Sequence, residues 1–268
     1  MTESRLKGKV VVVTGGARGI GLSVVEHAMA QGARVAIIDI DGHAAHQVAQ
    51  RLARGDDAGP HVVVADISDE AQVRSAIADI TSQLGVPDIW VNNAVRNSRT
   101  FDLLNTSLED WEECLRVTLT GAFLCIREVL PSMIERRSGS IINISSVNAS
   151  AMLGCDAYSA AKAGLNTLTR AVAVRYGGQG IRCNTVSPGS IATDQWGERL
   201  QANPHILDAL RPWYPLGRIG TPADVAEAVV YLANADWVTG TEVVVDGGLL
   251  AGPAPMLPIL EGTGGIPG

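Results

Sequence analysis

The chain has 268 residues, of which 46% are hydrophobic and 18% are charged, and its formal net charge at pH 7 is -7. This composition is typical of a globular protein with a large core and excludes a disordered chain. The negative charge, without any cluster of Lys and Arg, argues against partners such as nucleic acid or an anionic membrane surface. The polar N-terminus and the lack of a run of ~18 apolar residues predict a cytoplasmic protein that acts on small molecules.

Cysteine and histidine spacing gives no sign of a metal centre or a disulfide framework. The four cysteines are far apart and form no Cys-x-x-Cys pair: Cys114, Cys125, Cys155 and Cys183. His43 and His46 lie three residues apart on a predicted helix, with no further ligand near them. We therefore expect neither a zinc site nor disulfides.

Short β-branched runs alternate with helical stretches along the chain. Most are apolar at consecutive positions, which is typical of strands buried on both faces of a parallel sheet. We predict one α/β domain over 1–250 with a doubly wound, seven-stranded parallel sheet flanked by helices. The predicted strands are Val10 to Val13, Val35 to Ile38, Val62 to Ala65, Ile89 to Val91, Ser140 to Ile144, Ile181 to Val186 and Glu242 to Val245.

A glycine-rich turn follows the first predicted strand. Thr14 is followed by Gly-Gly-Ala-Arg-Gly-Ile-Gly, ending at Gly21, and a helix is expected from there through Ala30. Glycines let the backbone approach a pyrophosphate, whose charge is met by the helix N-terminus. The spacing Gly-x-x-x-Gly-x-Gly differs from the commoner Gly-x-Gly-x-x-Gly, but its place between strand and helix predicts a dinucleotide site.

Asp39 ends the second predicted strand, eighteen residues after Gly21. A carboxylate at this position accepts hydrogen bonds from the adenosine ribose, and it repels a 2'-phosphate. NAD is therefore favoured over NADP. Arg18 leaves NADP open, because a guanidinium in the glycine turn can accommodate a phosphate.

Tyr158 and Lys162 are four residues apart and so share one face of a predicted helix. An ammonium beside a phenol favours the phenolate and is expected to lower its pKa from ~10. A shift of roughly three units takes about 4 kcal/mol. Ser145 and Ser146 lie just upstream, where a hydroxyl can hold a substrate oxygen.

In their order, these landmarks resemble the short-chain dehydrogenase/reductase family over nearly the whole chain. The matching positions are Thr14 to Gly21, Asp39, Asp66, Asn92-Asn93-Ala94, Ser146, Tyr158 with Lys162, and Asn184-x-Val186-x-Pro188-Gly189. The resemblance implies a Rossmann fold, a nicotinamide cofactor and a homotetramer. It also favours Ser146 over Ser145, because the family's catalytic serine is the second of this pair and a loop shortened by one residue explains the spacing.

The resemblance also implies a role for each matching residue. Ser146 would bind the substrate oxygen, Tyr158 would exchange its proton, and Lys162 would lower the pKa of Tyr158 and bind the nicotinamide ribose. The cofactor would be bound by these last two and by Gly15, Arg18, Ile20, Gly21, Asp39, Asp66, Ile67, Asn93, Ala94, Pro188, Gly189, Ile191 and Thr193.

Two positions depart from the family pattern. Val95 replaces the glycine of Asn-Asn-Ala-Gly, which is expected to reshape the next loop and to border the substrate pocket. Thr118 replaces the asparagine that holds a water linked to the catalytic lysine. Its hydroxyl can bind a water but lacks the two donors of an amide. We therefore expect Thr118 to serve a slower or differently connected proton relay.

The substrate lid is predicted at about 193–220, where Trp196, Trp213 and Tyr214 are concentrated. With Leu153 and Cys155, Trp196 is expected to border a pocket for a bulky apolar or aryl substrate, although the rings could instead pack the lid on the body. An acidic substrate is less favoured, with Arg96 and Arg199 as the exceptions. The tail 251–268 is too rich in proline and glycine for a stable helix, and its apolar residues predict docking on its own or a neighbouring subunit, at a subunit interface near the lid.

The sequence thus favours an NAD-dependent oxidoreductase that moves hydride between nicotinamide and a secondary alcohol or ketone. Two alternatives stay open. An NADPH-dependent carbonyl reductase is opposed by Asp39, and a catalytically weak dinucleotide-binding sensor or scaffold is suggested by Val95 and Thr118.

Overall fold

The computed structural model describes residues 6–53, 59–97, 100 and 102–262. It contains a parallel sheet of seven strands in the order β3-β2-β1-β4-β5-β6-β7, as predicted. The strands are β1 Val10–Thr14, β2 Arg34–Asp39, β3 His61–Val64, β4 Ile89–Asn92, β5 Gly139–Ile144, β6 Ile181–Pro188 and β7 Glu242–Val245.

Helices cover both faces of the sheet. They are α1 Gly19–Ala30, α2 Gly42–Leu52, α3 Glu70–Leu84, α4 Leu108–Leu115, α5 Ala122–Glu135, α6 Asp156–Tyr176, α7 Gly197–Ala202, α8 Ile206–Leu210, α9 Pro222–Asn234 and α10 Leu257–Leu260. A π-helical segment, Arg116–Gly121, joins α4 to α5.

Alternate residues of each central strand enter different cores. In β1, Val10 and Val12 pack into the cluster that includes α3, α5 and α6, whereas Val11 and Val13 pack into the cluster that includes α1, α2 and α9. All four valines are at most 2% exposed. Burying each contributes about 1.5–3 kcal/mol, which explains the continuous apolar runs that predicted a doubly wound fold.

The winding direction reverses at β1, which pairs with β2 on one side and with β4 on the other. The chain therefore builds one half of the sheet up to β3 and then crosses back to build the other half from β4. A crevice opens beyond the carboxyl ends of the strands at such a reversal, and it is where ligands bind in open α/β sheets. The fold thus places the segments after β1, β2, β4, β5 and β6 around one region.

The helical run Leu108–Glu135 is long and apolar enough, by length and composition, to span a membrane, and half of its most apolar window is buried inside the protein. Leu124, Cys125 and Val129 from this run belong to the core between the sheet and α3 and α6. Its apolar character is therefore explained by packing in the fold.

The part of the tail that the structure describes forms a 3-10 turn, Ala254–Met256, and the single helical turn of α10. Only single helical turns form in the described part of the tail, and Pro258 lies in the first turn of α10, where its missing N–H breaks no helical bond. The tail turn contacts the lid turn Arg211–Trp213 of the same chain. The end of the predicted tail, 263–268, lies outside the described residues.

Candidate active site

A cavity of about 1260 Å³ opens at the carboxyl ends of the strands. Most of the residues proposed from the sequence border it: Gly15, Arg18, Ile20, Asp39, Asp66, Ile67, Asn93, Ala94, Val95, Ser146, Leu153, Cys155, Tyr158, Lys162, Pro188, Gly189, Ile191, Thr193 and Trp196. Gly21 and Thr118 are buried and do not border it. The fold thus brings together residues that are up to 181 positions apart.

The glycine turn has room for backbone but not for side chains. Gly15 has φ +65°, and a Cβ on it would lie 2.9 Å from the Cα of Ala94. A Cβ on Gly21 would lie 2.1 Å from the carbonyl oxygen of Gly15. The start of α1 therefore packs closely against the turn, and Gly19 and Ile20 at the helix N-terminus border the cavity. The turn therefore fits the pyrophosphate of a dinucleotide.

Asn93 holds the glycine turn to the end of β4. Its Nδ2 donates to the carbonyl oxygens of Thr14, at 3.0 Å, and Gly15, at 2.9 Å. The Thr14 hydroxyl in turn accepts from the backbone N–H groups of Asn93, at 3.0 Å, and Ala94, at 3.1 Å. The two strands that flank the crevice are thus joined by four bonds, so the side chain proposed to contact the cofactor also fixes the shape of the turn.

Asp39 lies at the carboxyl end of β2, beside the glycine turn. Its Oδ2 accepts from the backbone N–H of Ala17, and its Oδ1 accepts from that of Asp41, both at 3.0 Å. Arg18, the residue that left NADP open, forms an ion pair with Asp41. Two carboxylates therefore border the cavity beside the end of β2, and the guanidinium is engaged by one of them.

Asp66 and Ile67 follow β3 and border the same end of the cavity. The Asp66 carboxylate accepts from the backbone N–H of Ser68, at 2.8 Å, and from its hydroxyl, at 2.6 Å. Burial opposes ionisation, but these bonds and the charge of Arg116 outweigh it and lower the pKa of Asp66. Ile67 is 5% exposed and packs where a Cβ on Gly121 would lie.

The two serines after β5 face different partners. The Ser145 hydroxyl donates to the backbone carbonyl of Lys162, at 3.3 Å. The Ser146 hydroxyl donates to Asn148 Oδ1, at 3.3 Å, and accepts from the backbone N–H of Asn148, at 3.2 Å. Burial raises the pKa of Tyr158, and the Ser146 hydroxyl acts in the opposite direction, so Ser146 is the serine that interacts with the phenol.

Tyr158 and Lys162 share one face of α6, as their spacing predicts. The Lys162 Nζ lies 5.4 Å from the centroid of the Tyr158 ring and donates to the carbonyl of Ile144, at 2.6 Å. The expectation that the ammonium lowers the pKa of the phenol is wrong for the protein alone. Burial raises the pKa of Tyr158 to about 12 and lowers that of Lys162 to about 7. The ammonium lies over the ring and is itself largely desolvated, so burial dominates both groups.

The loop between Ser146 and α6 is tight. Gly154 and Cys155 both have positive φ, +97° and +60°. A left-handed backbone at a non-glycine residue is uncommon and strained. The strained turn ends directly at α6, three residues before Tyr158, so it fixes where the phenol enters the cavity.

Thr118 lies inside the π-helical segment and is 1% exposed. Its hydroxyl donates to the carbonyl of Arg96 and accepts from the backbone N–H of the same residue, both at 3.2 Å. The expected water-binding role is therefore limited, because the one O–H of a threonine is already used and only a lone pair is left to accept from a water.

The lid connects the two ends of the cavity. Trp196 borders the cavity and donates from its ring N–H to the carbonyl of Ile191, at 2.8 Å. Tyr214 is 4% exposed, and its hydroxyl accepts from the backbone N–H of Ser190, at 3.0 Å, so this ring packs the lid on the body. Arg96 and Arg199 both border the cavity. The two arginines that the sequence analysis named as exceptions thus both lie at the cavity wall.

A polar network under the site escaped the sequence analysis. Asn92 Nδ2 donates to Asn143 Oδ1, at 2.8 Å, and Asn143 Nδ2 donates to the Thr169 hydroxyl, at 2.8 Å. Thr185 donates to the same hydroxyl, at 2.9 Å. These bonds join β4, β5, β6 and α6 beneath the catalytic groups. In the sequence, the pattern that indicates such a network is a polar residue, Asn143, inside a strand that is apolar on both faces, because a buried polar side chain needs a hydrogen-bond partner.

The family model described as enoyl-(acyl carrier protein) reductase matches residues 15–250. A solved oxidoreductase of the short chain dehydrogenase/reductase family from Burkholderia thailandensis superposes with a TM-score of 0.88 at 37% identity, covering 94% of this chain and 97% of that one. The chain belongs to the short-chain dehydrogenase/reductase family. Members of this family use nicotinamide dinucleotide cofactors, which fits the glycine turn.

Two curated relatives extend the comparison. An uncharacterised oxidoreductase of Schizosaccharomyces pombe is 43% identical over 251 residues, which are 92% of this chain and 93% of the relative. The D-threitol dehydrogenase of Mycolicibacterium smegmatis is 36% identical over 250 residues, 92% of this chain and 94% of the relative. The protein is therefore an oxidoreductase of this family, whose similar members include alcohol dehydrogenases.

Proposed function

We propose that the protein is an NAD-dependent oxidoreductase that moves hydride between nicotinamide and a secondary alcohol or ketone with a bulky apolar or aryl body. The observation that carries the proposal is the convergence of Ser146, Tyr158 and Lys162 on the cavity that the glycine turn enters. The naming of a similar protein as a dehydrogenase of D-threitol, a polyol, supports an alcohol as substrate. The apolar body is supported by the cavity wall formed by Leu153, Trp196, Ile206, Leu210 and Trp213.

In this mechanism the substrate oxygen lies between Ser146 and Tyr158. The Ser146 hydroxyl bonds that oxygen. In reduction the phenol, which is protonated at pH 7 because burial raises the pKa of Tyr158 to about 12, gives its proton to the oxygen. In oxidation the phenol first passes its proton to the neutral amine of Lys162, and the resulting phenolate takes the proton of the alcohol. Bound nicotinamide supplies the carbon that accepts or delivers hydride and, when oxidised, a positive charge.

Lys162 serves as the proton-exchanging neighbour of Tyr158 in this proposal. Its pKa of about 7 lets it gain or lose a proton near neutral pH without a large free-energy change. The bond from its Nζ to the Ile144 carbonyl fixes the side chain at the end of β5, where the nicotinamide ribose would lie.

The preference for NAD rests on the charges at the adenosine end. Asp39 and Asp41 disfavour a 2'-phosphate, and Arg18 is already paired with Asp41. An NADPH-dependent reductase would need Arg18 to leave this pair. The ratio of kcat/KM for NAD and NADP separates the two, and a value below one would overturn the preference for NAD.

A panel of aliphatic, cyclic and aryl secondary alcohols, with both enantiomers where they exist, tests the proposal through formation of NADH. Turnover of an aryl or other bulky alcohol with NAD is the expected result. Tight binding of NADH without turnover of any alcohol or ketone would favour the sensor or scaffold alternative instead.

A cytoplasmic homotetramer is part of the same proposal. Apolar side chains such as Phe123, Leu104 and Trp237 are 41%, 93% and 100% exposed, which is expected of surfaces that pair with further copies. Light scattering on the purified protein tests this, and a monomeric mass would contradict it.

A further inference from the structure

The loop after β4 is held by an unusual set of bonds. The carbonyl of Arg96 accepts from the Thr118 hydroxyl and from the Cys114 thiol, both at 3.2 Å, and its N–H donates to the same Thr118 hydroxyl. Val95 directly precedes this residue. The two departures from the family pattern therefore meet at one place, because Thr118 clamps the backbone of the loop that Val95 reshapes.

The clamp fixes the guanidinium of Arg96 at the cavity wall. Its Nη2 donates to Glu113 Oε2, at 2.8 Å, and its side chain is 35% exposed. Its Nε is buried and has no partner among the described residues. A guanidinium offers five N–H donors, and a buried donor without a partner is unfavourable. The side chain thus has donor capacity that the described protein does not satisfy.

Arg96 borders the same cavity as Tyr158 and Lys162. A substrate with its carbinol at Tyr158 and its body along the apolar wall therefore has a guanidinium within the same cavity. Glu113 orients the planar guanidinium of Arg96. A planar oxyanion such as a carboxylate binds a guanidinium through two parallel hydrogen bonds.

We infer that Arg96 determines specificity by binding an oxyanion on the substrate and that Thr118 is the positioning residue that sets the Arg96 backbone. The inference rests on the proposed function and names its substrate class, a secondary alcohol that carries an apolar body and a carboxylate or similar oxyanion. Arg96 touches the substrate, whereas Thr118 acts through Arg96 alone.

A matched pair of alcohols tests the inference. 4-(1-Hydroxyethyl)benzoate and 4-(1-hydroxyethyl)benzamide differ in charge but scarcely in shape. We expect kcat/KM with NAD to favour the benzoate by about 10-fold or more in the wild type, and Arg96→Met to abolish this preference through KM. Arg51→Met is the control, because Arg51 is also paired with a glutamate, Glu26, at 3.0 Å but lies outside the cavity.

Thr118 variants separate positioning from folding. Thr118→Val removes the hydroxyl at nearly constant shape and should lower the benzoate preference, whereas Thr118→Ser should retain it. Equal losses for both alcohols in Arg96→Met, or an unchanged preference, would overturn the inference.

Binding of the matching ketones needs no turnover and therefore distinguishes failure of the inference from failure of the proposed function. Calorimetry with 4-acetylbenzoate and 4-acetylbenzamide in the presence of NAD should show tighter binding of the benzoate in the wild type and in Arg51→Met, but not in Arg96→Met. Equal affinity of the wild type for both ketones refutes the role of Arg96, whatever the alcohol assays show.

Discussion

The buried Lys162 is predicted to lower the free energy of unfolding of the protein at neutral pH. Its side chain is 3% exposed, and burial lowers its pKa from 10.5 to about 7. Between these values the unfolded chain binds a proton that the folded protein does not, so stability rises with pH across this window. At about 1.36 kcal/mol per pKa unit, the free energy of unfolding is reduced by about 5 kcal/mol below pH 7, and the effect vanishes above pH ~10.5.

Lys162→Met removes this titration at similar side-chain volume. The lost bond to the Ile144 carbonyl changes stability by an amount that is independent of pH. The quantity that tests the prediction is therefore the slope of the free energy of unfolding against pH. From pH 7 to pH 9, the free energy of unfolding of the wild type should rise by about 2 kcal/mol relative to that of the variant.

Urea denaturation of the cofactor-free protein, at constant protein concentration and several pH values, measures this difference. Tyr158→Phe is the control within the site, since a pKa raised to about 12 by burial adds almost no pH dependence below pH 9. A difference between the wild type and Lys162→Met that stays constant from pH 7 to pH 9 would refute the reasoning.

Two further predictions concern the cofactor turn and the tail. Gly21→Ala places a Cβ 2.1 Å from the Gly15 oxygen, so the turn must shift. We expect affinity for NADH, measured by fluorescence titration, to fall by roughly 5- to 150-fold, from overpacking of about 1–3 kcal/mol. An unchanged affinity would show that the turn does not contact the cofactor. Truncation after Leu250 removes the tail turn from the lid turn Arg211–Trp213 and should alter KM for the alcohol or the oligomeric mass. If light scattering and kinetics both match the full chain, the tail has no docking role.

The fold could be predicted from the sequence because the patterns that indicate it are local. Consecutive valines in β1 require burial on both faces, and the glycine turn and Asp39 follow successive strands. Parallel strands align their carboxyl ends, so residues far apart in the chain could be placed around one crevice before the structure was known.

Properties that depend on three-dimensional surroundings could not be read from the sequence. The spacing of Tyr158 and Lys162 gave their shared helix face but not the degree of burial, which reverses the expected shift in the pKa of the phenol. Likewise, the substitution at Thr118 was visible, but its bonds to Arg96 depend on how the π-helical segment packs against the loop after β4. Specific side-chain contacts between distant segments leave no periodic pattern in a single sequence.

The central claim is that Tyr158 exchanges a proton with an alcohol while nicotinamide exchanges the hydride. The most direct test compares the rate of NADH formation by the wild type and by Tyr158→Phe, using an alcohol that the wild type oxidises. We predict that the rate falls by about 100- to 10,000-fold while affinity for NADH is retained. Undiminished NADH formation by Tyr158→Phe would contradict the account.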